Sequence, residues 1–341
     1  RYTNAETGKY AFQAKLNLNI SDSFSNGNGQ SVFSQGNLQN EHGTVHNRAS
    51  NYLNPTLDLY YSKNIGKKDE LSLNLVGSHY DTNSTQFDRE WILNSNQDVF
   101  NNDMILKAKQ NGIVAEVAHS HSFEKGKLNS GYRISNNSIS NDLQNLAGNS
   151  NYTVNYLQQY LYTEYSGKKD KFTYRLGLGL TNIHNKSAET TFDEWAFTPK
   201  IVLGYQLKNN QSIRFSSSYI PQSPSSDALS SNVVQVVPNI VRTGNPYLKS
   251  QHSFGNNLVY SFNSKYFKKK EKNFYWYRKS ASNQYYVLNQ NVDGYLLTYE
   301  NAKNSQQYGI QLTGSVKPFG NNLLVVKMVV APATEQLTTS R

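Results

Sequence analysis

The sequence contains no cysteine among its 341 residues, which removes disulfide frameworks and thiolate metal sites from consideration. It also lacks any apolar run of about eighteen residues, the length that marks a membrane-crossing helix. The longest apolar stretch, LLVVKMVVAP at 323–332, is short and carries Lys327 in its middle. Hydrophobic residues make up only 37% of the chain and mean hydropathy is −0.69, so sheets apolar on one face are expected rather than a thick, two-sided core. No Ser, His and Asp grouping has an interpretable spacing, so no catalytic residue is assigned and no enzyme is expected. No leader is visible and the chain opens on Arg1, so it reads as processed or excerpted.

Aromatic side chains are abundant at 13%, with 25 Tyr, 15 Phe and 3 Trp. Rings with a polar tip suit a membrane boundary, where one end meets hydrocarbon and the other water. The net charge is +10, yet much of it sits in short turns: Lys67 and Lys68, Lys125 and Lys127, Lys168 and Lys169, Lys268 to Lys270 with Lys272. Lysines scattered over turns form no continuous stripe, so solvated hairpin turns are expected and no nucleic-acid partner.

Period-two alternation dominates. In YAFQAKLNLNIS, Tyr10, Phe12, Ala14, Leu16, Leu18 and Ile20 alternate with Gln13, Lys15, Asn17 and Asn19. FTYRLGLGL at 172–180, FTPKIVLGYQL at 197–207, SFGNNLVYSF at 253–262 and YGIQLTGSVK at 308–317 repeat the pattern. Such runs exceed the ~5–6 residues of ordinary soluble strands and match the ~9–11 that cross a bilayer at a tilt. About thirteen strands are predicted, near 9–21, 52–64, 70–80, 104–123, 127–135, 153–166, 171–183, 194–207, 211–220, 252–264, 272–288, 295–317 and 322–330. The segment 153–166 is the exception, because neither of its faces is clean. Tight turns such as NIGKKDEL and SGKKDKF alternate with polar stretches at 22–51, 81–103, 135–153, 184–193 and 220–251. Short turns at one end and long loops at the other describe an antiparallel up-and-down transmembrane β-barrel, or a large part of one, with short periplasmic turns and long extracellular loops. Residues 1–341 are expected to form one all-β barrel domain, partial in extent.

Charges sort by parity. Opposite the apolar face stand Lys15, Asp58, Glu116, Arg133, Arg175, Lys200, Arg214 and Lys317. Arg or Lys at mid-bilayer on the lipid face would cost ~2–4 kcal/mol each, so these are the candidates for lumen-facing residues that touch a ligand or a plug. Cations outnumber acids there, which favours anionic ligands or an acidic docking partner.

The stretch GNPYLKSQHSFGNNLVYSF at 244–262 places a rigid turn before a strand. Pro246 fixes its own φ and biases Asn245 toward extended backbone, while Gly244 permits a tight corner. This stretch resembles the Gly-Asn-Pro-x-Leu-Lys-Pro-Glu corner of TonB-dependent receptors. Gly244, Asn245, Pro246, Leu248 and Lys249 match it, and Ser250 and Gln251 replace its Pro-Glu. NPTLDLYYSKNIGKKDELSLNLVGSHYDTN and LTYENAKNSQQYGIQLTGSVKPFG also look like the outer-membrane β-barrel family related to those receptors. The resemblance implies residence in the outer membrane of a Gram-negative bacterium and uptake of a bulky nutrient such as a chelated metal or an oligosaccharide. It implies outer-membrane lipid, a plug domain and a TonB-type energy-coupling protein as partners. Neither plug nor coupling segment is recognisable in the sequence, and the family barrel has more strands than are read here.

Other constellations are weaker. His119 and His121 share one strand face without a convergent third ligand, so no metal is assigned and an interfacial polar band is expected. FDREW at 87–91 and FDEW at 192–195 pair acids with Trp91 and Trp195. They read as Ca²⁺ or sugar-stacking sites, or more simply as loop ends with an interfacial Trp. Gly177 and Gly179 are too isolated for a phosphate loop. No cofactor is expected. Two alternatives to uptake stand: a non-transporting surface barrel serving as adhesin or assembly platform, and a soluble carbohydrate-binding β-sandwich.

Overall fold

Alternating segments fold as strands, and the strands outrun the alternation. The computed structural model describes residues 1–35, 38–187, 190–237, 239–262, 267–280, 284–291, 294–316 and 326–339. In chain order the strands are β1 Tyr2–Glu6, β2 Tyr10–Gln35, β3 Leu38–Asn64, β4 Asp69–Ile92, β5 Gln97–Ser122, β6 Gly126–Asn145 and β7 Gly148–Lys169. Then come β8 Phe172–Lys186, β9 Thr191–Phe197, β10 Lys200–Lys208, β11 Gln211–Gln222, β12 Val233–Val237 and β13 Ile240–Thr243. The last are β14 Gln251–Phe262, β15 Phe267–Ser280, β16 Gln284–Asn291, β17 Gly294–Asn301, β18 Asn304–Val316, β19 Val326–Val330 and β20 Ala333–Thr338. One short helix, α1 Ser226–Leu229, lies between β11 and β12, its first turn capped by the Ser225 hydroxyl, which accepts from the Ala228 N–H.

Among the described residues sixteen strands form one sheet, in the order β1 to β8, β10, β11, β14, β15, β18, β19, with β9 on β8 and β20 on β18. β9 and β10 are halves of one line along β8, parted at Thr198 and Pro199, where proline has no N–H for the ladder. The result is the up-and-down meander that the alternation predicts. β1 escapes the sequence reading because five residues are too short to show a period. Segments 272–288 and 295–317, read as single strands, each join two: β15 with β16, and β17 with β18. β16 and β17 belong to a second sheet, ordered β12-β13-β17-β16, in which β13 and β17 run parallel.

Most of the expected long loops are strand. β2 and β3 stay in register from Tyr10↔Lys63 to Gln35↔Leu38, and β6 and β7 from Gly126↔Gly167 to Asn145↔Gly148, while β4 and β5 pair from Asp69↔His121 to Ile92↔Gln97 with one bulge between Glu90 and Trp91. Residues 184–193, another expected loop, close the β8–β9 hairpin through Lys186↔Thr191. Polar residues on both faces leave no apolar period to read, while the backbone groups still take ladder partners. β2 and β3 are 26 and 27 residues long; since ~9–11 residues cross a bilayer, about fifteen of each stand clear of it. The segment 223–250 is different: it leaves the sheet after β11 and returns at β14.

The two faces differ sharply. One carries a continuous cross-strand row, Phe12↔Tyr61↔Leu73↔Val117↔Tyr132↔Leu161↔Leu180↔Phe197. Leu16, Leu73, Leu161, Leu178 and Phe197 on this face are exposed, an apolar band far too extensive for a water-facing surface. The opposite face carries Asn74↔Glu116↔Arg133↔Tyr160↔Thr181.

Candidate functional site: the polar face and the segment folded onto it

Four of the sequence-selected charges meet on the polar face of β5 to β10. Glu116 and Arg133 are direct cross-strand partners, and the Tyr162 hydroxyl donates to Glu116 Oε1 at 2.5 Å. Arg175 Nε and Lys200 Nζ both reach Glu164, at 3.2 and 3.3 Å. The rings of Tyr160 and Tyr162 stack on this face, 5.1 Å between centroids. Glu116, Arg133, Tyr160, Tyr162, Glu164 and Lys200 border a cavity of about 180 Å³. Glu164 is the member that sequence reading missed. It neutralises part of the expected cation surplus, since one carboxylate holds two of the cations.

The remaining candidates lie apart from this group. Lys15 and Asp58 are cross-strand partners on β2 and β3. Arg214 faces Gly204 and, with Arg175, Lys127 and Lys168, borders a separate opening nearer the short turns. Lys317 lies outside the described residues.

The same face, further from the short turns, is covered. Tyr152 and Val154 of β7 share parity with Tyr160, Tyr162 and Glu164, and they pack with Ala228, Leu229 and Leu248 in a buried cluster. Val154 and Ala228 have no exposed surface and Leu248 is 2% exposed. The segment 223–250 is therefore folded onto the polar face of the wall. Side-chain hydrogen bonds secure it there: Tyr156 Oη donates to Pro224 O at 3.0 Å, Asn145 Nδ2 to Val233 O at 3.1 Å, and Thr190 Oγ1 to Pro246 O at 2.8 Å. The mixed faces of 153–166 were the available signal. A strand apolar on both sides turns one side to the folded-in segment and the other, with Leu161 exposed, to the apolar band.

The corner at 244–249 sits inside this arrangement. A Cβ on Gly244 would lie 2.4 Å from Ser230 O and 2.6 Å from Asp227 O, so only glycine fits. The Asn245 N–H donates to Ala228 O at 2.6 Å, its Nδ2 donates to Tyr299 O at 3.0 Å, and its Oδ1 accepts from the Tyr247 N–H at 3.0 Å. Leu248 fills the buried cluster, and the Lys249 N–H donates to Asn301 Oδ1 at 3.0 Å. The corner thus joins the folded-in segment, the second sheet and β14.

The acidic and histidine motifs pair with one another across strands. In FDREW, Glu90 holds His42 at 2.5 Å, Asp88 holds His46, and Arg89 bonds Asp98 at 2.7 Å while lying over the Trp91 ring. In FDEW, Asp193 holds His184 at 3.0 Å and Glu194 holds His252 at 2.7 Å, while Trp195 is exposed. His119 Nε2 and His121 Nδ1 converge on Asp69 Oδ1, at 3.0 and 2.7 Å. Hydrogen bonding from His121 first, with His119 adding to it, holds the Asp69 carboxyl below its usual range; His184 does the same to Asp193. Among the described residues no group of three or more such side chains is placed to hold a metal ion.

A meander wall with one lipid-suited face, one ionic face and tight turns at one end is the construction of an outer-membrane β-barrel. The chain belongs to the outer membrane protein beta-barrel family, whose model matches residues 63–331, and its place is the Gram-negative outer membrane. That membership overturns the soluble β-sandwich alternative. Similar solved structures include the copper transporter OprC, 9% identical with a TM-score of 0.57 over 96% of this chain and 62% of that one. BauA, the ferric preacinetobactin receptor of Acinetobacter baumannii, is 9% identical with a TM-score of 0.57 over 99% of this chain and 56% of its own. The outer-membrane ferripyoverdine receptor of Pseudomonas aeruginosa is 9% identical with a TM-score of 0.52 over 98% and 57%. This chain thus spans about three fifths of the length of the structures it matches. At these identities the likeness shows the fold alone, and it is the fold that the resemblance to TonB-dependent receptors implies. No curated protein matches the chain.

Proposed function

We propose that residues 1–341 act as one barrel domain in a receptor that takes up a bulky nutrient, a chelated metal or an oligosaccharide, without enzymatic chemistry. In this reading the polar face lines the lumen, and a plug domain and a TonB-type energy-coupling protein are the partners. The observation that carries it is the segment 223–250 packed on the polar face. A wall that carries a structured element on its inner side narrows its own conduit, which serves selective passage better than a bare scaffold. The ionic row beneath that element supports docking of a plug. Of the candidate cations on β6 to β11, Arg175 and Lys200 are held by Glu164, and Arg133 and Arg214 are not.

The test is charge reversal in the intact protein. Arg133→Glu with Arg214→Glu should weaken plug retention and slow uptake of the cognate nutrient by about tenfold or more, an amount typical of broken charge-assisted contacts. Unchanged retention and unchanged uptake would remove the docking role. Correct membrane insertion with no uptake by the intact wild type would return the reading to a surface platform. The long β2–β7 hairpins standing clear of the bilayer favour that second reading.

A further inference from the structure

Where the folded-in segment lies over β5, β6 and β7 it leaves a cavity of about 160 Å³. Asn141 of β6 and Asn232 of the segment border it; they are 7% and 8% exposed, and each leaves its side-chain Oδ1 buried without a hydrogen-bond partner. Native folds rarely leave such acceptors unsatisfied. Their presence in one cavity, contributed by two separate elements, points to a bound group that supplies the missing hydrogen bonds.

The chemistry of that group can be narrowed. Asn141 Nδ2 is already engaged with the Tyr152 hydroxyl, so the vacant position is an acceptor and the ligand must donate. A hydroxyl both donates and accepts, so it also satisfies an amide turned about its terminal torsion. Asp227 and Arg242, both exposed, border the same cavity with opposite charge, so the opening selects for neither sign. Leu106, Leu143 and Val234 supply apolar wall suited to C–H surface. The space is that of about five waters and well below the ~300 Å³ at which sites for larger ligands begin. One ring fits, and a chain does not.

We propose that this cavity binds a small, uncharged, polyhydroxylated group of about one monosaccharide ring. The inference is independent of the uptake reading, because both sides of the cavity come from this chain.

The full chain in detergent micelles is titrated with methyl α-glucoside, methyl α-mannoside, methyl α-galactoside and myo-inositol, read by saturation-transfer NMR. Methylammonium and acetate serve as charged probes of comparable or smaller size. At least one neutral probe should bind, with Kd on the order of millimolar, and the charged probes should not. Asn232→Leu removes one acceptor and should weaken binding about tenfold, the equivalent of one lost hydrogen bond. Val234→Trp fills the space while keeping both asparagines in the sequence and should abolish binding, so it decides the matter should the leucine variant fail to fold. No saturation transfer from any neutral probe would mean that only water occupies the cavity, and the proposal would fall. Binding that survives Val234→Trp, or preference for a charged probe, would equally overturn it.

Discussion

Asp69 begins β4 at the short-turn end, and a single carboxylate oxygen there receives both histidines of the His-Ser-His stretch. Because its pKa is depressed in the fold, the contribution is present above the ordinary carboxylate pKa and is lost as pH falls through the lowered value. Asp69→Asn should therefore leave the protein less stable than wild type at neutral pH. The difference should shrink as pH drops below the ordinary carboxylate pKa and through the lowered one. Unfolding midpoints in micelles across that range check this, and a gap that widened on acidification would contradict the assignment. At this scale much of the chemistry was legible as charge placed opposite an apolar parity, which located Glu116, Arg133, Arg175 and Lys200. What could not be read was the pairing. Glu164 sits among tyrosines in a strand without a clean period, so nothing in the one-dimensional pattern marks it as the partner of two cations. The same holds for His42 with Glu90 and His46 with Asp88, which lie forty or more residues apart and meet only through the β3–β4 register.

Among the elements, the wall strands follow from period two and the tight turns from Lys, Asp and Gly clusters. Asp170 in one such turn has φ 52°, a left-handed value that aspartate tolerates. The extensions of β2 to β7 beyond the bilayer did not follow, because an Asn- and Ser-rich strand wet on both faces looks like loop. The folded-in segment left only the mixed faces of 153–166 as a sign: its apolar contacts are isolated residues, Ala228, Leu229 and Leu248, reaching a distant strand. Leu248→Ala should cost about 2–4 kcal/mol locally, because it empties a fully enclosed position in a small cluster. The expected result is loss of hydrogen-exchange protection over 226–250 and faster tryptic cleavage after the exposed Arg242, with the β2–β8 wall unchanged. Global unfolding instead of this local loosening would show that the segment is integral to the wall.

For the molecule as a whole, the apolar row from Phe12 to Phe197 and the ionic row behind it define which side meets hydrocarbon. Leu178→Arg, on the exposed apolar face of β8, should destabilise the inserted barrel by ~2–4 kcal/mol. Lys200→Leu, on the opposite face of neighbouring β10, should be tolerated far better. Unfolding from lipid vesicles distinguishes the two, and equal costs would argue against the assignment of faces.

One feature of the ladder bears on how such a molecule can change. Gln222 and Gln251 are directly paired, so the chain departs from and rejoins the wall on a single rung. To the sixteen-stranded sheet, residues 223–250 are an insert whose length and content leave every register of the wall untouched. Since closing a longer excursion costs only about 0.6 kcal/mol per doubling, the insert is free to be lengthened, shortened or exchanged wholesale. The barrel would keep its address in the membrane while what it accepts was rewritten.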